Sequence, residues 1–137
     1  MAFAKEHPMP FNKIHVPEDL PTETCRAIND LLHETLVKTC SSHPDDYFCL
    51  VCRYPAGDMI FHPTFLGQRD VESTIVIEIA LLAGRSDTQK DALFKDVRQR
   101  MAEIGFDPRN SIMFLIENAP IDWSFSEAGS VKSVWAT

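Results

Sequence analysis

Residues 73–105 read STIVIEIALLAGRSDTQKDALFKDVRQRMAEIG, and this stretch decides the fold. Its first part, STIVIEIALL, is rich in β-branched residues, which suit a pleated, packed surface, so it is expected to be a strand. A short polar loop, AGRSDT, follows. Ala92, Leu93, Val97, Met101 and Ile104 then recur at helical spacing, giving one apolar stripe. Ser86 or Asp87 is the expected cap at the start of this helix, and Gly105 the expected stop. Strand, loop and capped helix in that order make the first two parts of a β-α-β unit. SIMFLIEN, residues 111–118, supplies the second strand, and Ala119-Pro120 ends it.

The same order appears earlier in the chain. PFNKIHV, residues 10–16, reads as a strand closed by Pro17, with Ile14 and Val16 on one face. Residues 20–40, LPTETCRAINDLLHETLVKTC, read as a helix with Thr22 as expected cap and a stripe through Ala27, Ile28, Leu31, Leu32, Thr35 and Leu36. YFCLVCRY, residues 47–54, reads as a strand. A shift of 65 lays Ile14 on Ile79, Val16 on Leu81, Ala27 on Ala92, Ile28 on Leu93, Leu32 on Val97, Leu36 on Met101 and Leu50 on Leu115. Each helical crossover joins parallel strands. The expected architecture is therefore α/β (α+β): tandem β-α-β units forming a four-stranded mixed sheet with two helices on one face. STIVIEIALL is apolar on both faces, so the sheet needs a second cover, and oligomerisation supplies it at least cost. The connection at residues 55–73 is expected to hold at most a short hairpin through MIF, and the tail a short strand in VKSVWA, residues 131–136.

Composition narrows the function. The chain has 137 residues, 45% of them apolar, which suits a single domain spanning 1–137. A net charge of −7 without a Lys/Arg cluster argues against nucleic acid and anionic membranes. No run approaches the roughly 18 apolar residues a membrane span needs, and no secretory signal precedes the first strand. A cytoplasmic location is the expectation. Of the four cysteines, Cys49 and Cys52 form a C-x-x-C, but residues three apart on a strand point to opposite faces. All four thiols are expected to be buried and structural; no metal and no cofactor is expected.

Four stretches together resemble the tautomerase superfamily, in its longer-subunit, malonate semialdehyde decarboxylase-like branch. They are MPFNKIHV (9–16), LLHETLVKT with HPDDYFCLV (31–39 and 43–51), IVIEIALLAGRSDTQKDALFK (75–95) and IMFLIENAPIDWSF (112–125). The last two are the most specific, through Gly-Arg-Ser and Glu-Asn…Trp-Ser-Phe. The resemblance implies subunits of two β-α-β units assembled into homotrimers, acting on a small carboxylate. It implies Pro10 as the catalytic residue, working through a free ring nitrogen after the preceding Met is removed. It implies Arg85 as the carboxylate clamp, Asp46 as an assistant in proton or water movement, and Trp123 and Phe125 as pocket walls reaching in from the next subunit. His33, in the first helix, is a weaker candidate. Arg53 and Arg69 are candidate second cations, with solvent-facing positions as their plainer explanation.

Three departures from that pattern matter. Residues 1–8 form an extension before Met9-Pro10, and with it in place the Pro10 nitrogen is an amide whose lone pair is delocalised. The decarboxylase branch carries paired arginines around its Ala-Gly-Arg position, whereas the first of those positions here is Ala83, which disfavours decarboxylation. The family glycine after Trp-Ser-Phe is Ser126 here, where a tight turn is expected. Two functions follow as expectations. With Pro10 as N-terminus the protein is a keto–enol tautomerase, or hydrates or dehalogenates a related acid. With Pro10 in an amide it is a trimeric family member without proline chemistry, either a catalytically silent binding or interaction protein or a weak catalyst through side chains alone.

Overall fold

The computed structural model describes residues 8–136. Its elements run β1 (Phe11–Pro17), α1 (Thr22–Cys40), β2 (Cys49–Tyr54), β3 (Ile75–Leu82), α2 (Asp87–Glu103), β4 (Ser111–Asn118) and α3 (Val131–Ala136), with single 3-10 turns at Pro108–Asn110 and Pro120–Asp122. The strands form one sheet in the order β2-β1-β3-β4. β1 and β2 are parallel, β3 and β4 are parallel, and β1 meets β3 antiparallel with Ile14 opposite Ile77. Two β-α-β units therefore sit side by side in opposite directions, which makes the sheet mixed.

One face of the sheet is dry. Ile14 and Val16 of β1 and Ile75, Ile77, Ile79 and Leu81 of β3 are fully buried against Ile28, Leu32 and Leu36 of α1 and Leu93, Val97 and Met101 of α2. Both helices thus lie on one face, and the pairs Ile28/Leu93, Leu32/Val97 and Leu36/Met101 are core in both units. The seventh pair of the internal echo fails. Leu50 stands beside Lys13 on the opposite face, whereas Leu115 stands beside Ile79 in the core; the counterpart of Leu115 is Val51, beside Ile14. A slip of one residue in a strand moves every side chain to the other face.

Four local expectations are corrected. Thr22 is not the cap of α1: Pro21 holds that position in an extended conformation, and the Thr22 hydroxyl instead accepts from Arg53 Nη2 at 3.3 Å. VKSVWA is helix α3, not a strand; Val131 and Trp135 are four apart and both pack onto Met9 and Leu82. The MIF segment forms no strand among the described residues. Only Cys25 and Cys40 are buried; Cys49 and Cys52 are partly exposed, on opposite faces of β2 beside Asn12 and His15. By contrast Ser86 does cap α2, accepting from the Gln89 N–H while the Gln89 side chain accepts from the Ser86 N–H.

The other face of the sheet carries Phe11, Lys13, His15, Leu50, Cys52, Tyr54, Val76, Glu78, Ala80, Ile112, Phe114 and Ile116, by strand pairing. In the single chain Leu50, Phe114 and Ile116 remain 49%, 41% and 45% exposed. Across this face His15 Nε2 donates to Glu78 Oε2 at 2.5 Å, and His15 Nδ1 lies 2.5 Å from the Tyr54 hydroxyl. His15 thus bridges Tyr54 and Glu78, and Lys13 stands opposite Glu78 on the same face.

Of the expected extension at residues 1–8, residues 1–7 lie outside the described residues. Pro8 is described, and its carbonyl accepts from the Leu82 N–H at 2.7 Å. The chain therefore still runs beside β3 ahead of Pro10.

Candidate active site

Pro10 is buried at the head of β1, one residue before the Phe11–Ala80 pair. Its ring nitrogen is bonded to the Met9 carbonyl carbon. Met9 has φ 49°, in the left-handed region, and is 8% exposed. It packs with Leu82 and Val131, against Trp123 and Trp135.

Beside Met9 lies a cavity of about 340 Å³. Asp45, Asp46 and Phe48 line it from the α1–β2 connection, Phe125, Ser126 and Gly129 from the segment after β4, and Val131, Val134 and Trp135 from α3. Three devices bring Asp46 here. Ser41, at φ 62°, ends α1 in a left-handed turn and sends the chain back along the helix. The Asp46 N–H donates to the His43 carbonyl at 2.9 Å, closing a tight turn. His33 Nε2, from the middle of α1, donates to the Pro44 carbonyl at 2.8 Å, and its ring meets Tyr47 edge-on at 5.4 Å. His33 is thus placed to position the acidic turn. Asp46 is 7% exposed.

The structure does not bring every expected residue to this cavity. Phe125 lines it. Trp123 lies behind Phe125, stacked on its ring at 5.6 Å, with the indole N–H donating to Asn118 Oδ1. Both aromatic residues touch rings of their own chain: Trp123 that of Phe11, and Phe125 that of Phe48 at 5.2 Å. Arg85 is absent from the cavity wall. Its Nη1 donates to the Cys40 carbonyl at 2.9 Å, on the last turn of α1, where the helix dipole favours a cation. Arg85 and Asp46 therefore flank the two ends of the segment 40–46.

The other cations have structural partners. Arg53 donates to the carbonyls of Glu18 and Leu20, tying β2 to the β1–α1 connection, and Arg69 donates to those of His62 and Phe65. Ser126 does not occupy the left-handed region; Gly129, at φ 104°, supplies the turn. Sequence reasoning missed Met9, Phe48, Val131, Val134 and Trp135 as cavity walls. The four-residue spacing of Val131 and Trp135 was the available signal for α3.

Among the described residues no cluster of three His, Cys, Asp or Glu side chains is arranged to hold a metal ion. No helix among them is long and apolar enough to cross a membrane. Burial pushes the Cys49 thiol up from its ordinary value to about 11, with Cys52 and Cys25 adding to the shift. The folded state therefore keeps this proton longer than the unfolded chain does. Its contribution to stability is complete below the ordinary thiol pKa and is lost as pH rises from there through about 11. Urea midpoints measured across that range should fall with pH, and Cys49→Ala should flatten the fall.

Two antiparallel-paired β-α-β units with a cavity at the head of β1 define the class, and the comparisons name it. The family model described as "Tautomerase enzyme" matches residues 46–126, and the chain belongs to that family. The probable tautomerase YusQ of Bacillus subtilis (strain 168) is 25% identical over 118 residues, 85% of this chain and 93% of that one. An FG41 malonate semialdehyde decarboxylase, solved as inhibited by 3-bromopropiolate, superposes with a TM-score of 0.82 at 31% identity, covering 92% of this chain and 95% of that one. A fused 4-OT, described as a symmetric trimer, shares the fold with a TM-score of 0.72 at 18% identity, over 90% of this chain and 98% of that one.

Proposed function

We propose that this protein is a keto–enol tautomerase for a small carboxylic acid, active in the form whose N-terminus is Pro10. The observation that carries the reading is the position of Pro10: buried at the head of β1 and bonded to a residue that lines the same cavity as Asp46. Freed from Met9, its nitrogen becomes a secondary amine at that wall. A free α-amine titrates at about 7.7–8.0 in peptides, and apolar surroundings lower this by disfavouring the charged form. Such an amine takes the proton of the enol hydroxyl and, as its conjugate acid, delivers it to the neighbouring carbon to give the keto acid; the reverse reaction takes it from that carbon and returns it to the enolate oxygen. Asp46 assists by orienting the enol hydroxyl or a water.

Arg85 is the proposed carboxylate clamp. Its guanidinium has five N–H donors in a fixed fork, and one nitrogen is already held by the Cys40 carbonyl. The planar fork of a guanidinium suits two-point contact with a carboxylate. The test is the Pro10-start chain assayed with phenylenolpyruvate and 2-hydroxymuconate. Arg85→Ala should raise KM for these acids by about tenfold or more, since a hydrogen bond to a charged group contributes about 1.5–3 kcal/mol. KM for a neutral enol should change little. Equal effects on acid and neutral substrates would remove the clamp, and no turnover of either acid would remove the activity.

A second reading is favoured by the Met9–Pro10 amide itself. With that bond intact the protein lacks a basic nitrogen at Pro10 and acts as a binding or interaction protein of the same architecture. Both readings include a homotrimer in a cytoplasmic setting. The open sheet face, with exposed Leu50, Phe114 and Ile116, is the surface proposed to close it. Ile116→Lys should convert the assembly to monomers by sedimentation velocity. A monomeric parent, or an unchanged trimer, counts against this interface.

A further inference from the structure

We propose that the cavity bordered by Arg69, Arg98 and Arg109 is a second binding site, separate from the cavity at Pro10, and that it takes the phosphate group of a small phosphate monoester.

The cavity measures about 530 Å³ and lies where three parts of the fold meet. Arg69 lines it from the β2–β3 connection, Arg98 and Gln99 from α2, and Arg109 and Ser111 from the turn into β4. None of the described residues on its wall is acidic. The chain carries a net charge of −7, so three arginines on one wall reverse the sign locally and attract an anion. Asp70 and Asp107 line a neighbouring cavity that shares Arg69 and Arg109. Asp107 answers the charge of Arg109, with which it pairs at 2.9 Å. Asp70 is turned into its own loop, accepting from the Ser73 hydroxyl and the Glu72 N–H at 3.1 Å.

The hydrogen bonds show what the other two guanidiniums lack. Arg69 donates from Nη1 and Nη2 to the carbonyls of His62 and Phe65, and its Nε is buried without a partner among the described residues. Arg98 donates from Nε to the Ser111 hydroxyl at 3.2 Å and from Nη2 to the Ser111 carbonyl at 2.9 Å. All these acceptors are neutral, and no ion pair among the described residues includes Arg69 or Arg98. Burial and the nearby Arg69 charge hold the Arg98 guanidinium below its ordinary value. Two like charges held together are unfavourable, and a dianion between them removes the repulsion. A phosphate monoester carries about −1.5 to −2 at neutral pH on one head group, whereas a single carboxylate cancels one charge. Its oxygens suit the N–H forks, and Arg98 Nη1 makes no hydrogen bond to the described residues. Gln68, Gln99 and Leu66 leave polar and apolar wall for the organic part.

The site is remote from Pro10. Ser111 pairs with Ile75 at the start of β3, whereas Pro10 precedes the Phe11–Ala80 pair near its end. At about 3.3 Å per strand residue, the two ends lie roughly 17 Å apart. α2 covers the sheet face opposite Leu50, Phe114 and Ile116, so closing that open face in a trimer does not cover α2.

Calorimetric titration of the full chain at fixed ionic strength, with glucose 6-phosphate, glucose and succinate as probes, tests this. Glucose 6-phosphate should bind once per chain, succinate at least about fivefold more weakly, and glucose not at all. Arg98→Gln should weaken glucose 6-phosphate at least about tenfold, the effect of losing a hydrogen bond from a charged group. Arg98→Lys keeps the charge without the fork and should weaken it at least about threefold, which gives the same reading if the glutamine variant fails to fold. Lys95→Gln removes an exposed charge from the same helix, off the cavity wall, and should change binding by less than about twofold. Arg85→Ala should likewise leave it unchanged. The proposal is overturned if glucose 6-phosphate does not bind, if succinate binds equally well, or if Lys95→Gln weakens binding as much as the Arg98 variants do. Binding lost in Arg85→Ala and kept in Arg98→Gln would put the anion at the proposed carboxylate clamp and overturn it too. Pro10 is amide-bonded in every one of these chains, so the outcome is independent of the tautomerase reading.

Discussion

A chain beginning at Pro10 should ketonise phenylenolpyruvate about 10²–10⁴ times faster than the full chain, the range a positioned general base contributes. The two forms share the sheet and the cavity walls contributed by Asp46, Phe48, Phe125 and α3. They differ at one nitrogen and in the residues before it. In the full chain that nitrogen is an amide whose lone pair is drawn into the Met9 carbonyl, so it neither takes nor gives a proton at working pH. In the shorter chain it is a secondary amine. The pH dependence separates a base from mere opening of the cavity. The free amine works unprotonated, so kcat/KM should rise with pH through the amine pKa and then level, and the full chain should show no such titration. Pro10→Ala in the shorter chain replaces the constrained ring nitrogen by a mobile primary amine and should lower the rate. Equal rates for both forms, unaffected by Pro10→Ala, would end the assignment of Pro10 as base.

Leu32→Ala should destabilise the fold by about 2–5 kcal/mol, the range for deleting a buried leucine side chain. Leu32 is fully buried in α1 among the residues joining both helices to β1 and β3. Its removal takes apolar area from the core and leaves a void that both β-α-β units border. The contrasting variant is Lys38→Ala. Lys38 pairs with Asp96 across the helices at 3.9 Å, but its side chain is 65% exposed. Solvent-screened pairs of this kind contribute about 0–1 kcal/mol. Urea unfolding of both variants at one protein concentration reads the difference, because any oligomer makes stability concentration-dependent. A Leu32→Ala loss no larger than that of Lys38→Ala would mean that the two helices do not share a core.

The elements that were legible in the sequence share one property: their signal is local and repeated. β3 shows as a β-branched run, and α1 and α2 show as stripes at helical spacing. Ser86 with Gln89 is a capping box written in four residues. Thr22 has the residue type of a cap, but the chain turns into the helix one residue earlier, at Pro21, and the Thr22 hydroxyl meets Arg53 of β2, thirty-one residues away. In the six residues of α3 the four-residue spacing of Val131 and Trp135 is a single repeat, which a strand reading of VKSVWA outweighs in the sequence alone. Its helical form comes with docking of Val131 and Trp135 onto Met9 and Leu82.

The candidate site divides along the same line. Pro10, Asp46, Arg85, Trp123 and Phe125 were named from motifs, and motifs report residue type without reporting direction. The structure gives Phe125 and Asp46 to the cavity, sets Trp123 behind Phe125, and turns Arg85 toward the end of α1.

By itself the sequence determined the two β-α-β units, the helices' apolar stripes and membership among tautomerase-like chains, since periodicity and motif spacing are properties of neighbouring residues. Only the tertiary structure decided that Met9 stands between Pro10 and an apolar cavity, that α3 closes it, and that His15, Tyr54 and Glu78 meet on the open face. Those arrangements join residues distant along the chain, and their contacts arise from how strands pair and helices pack.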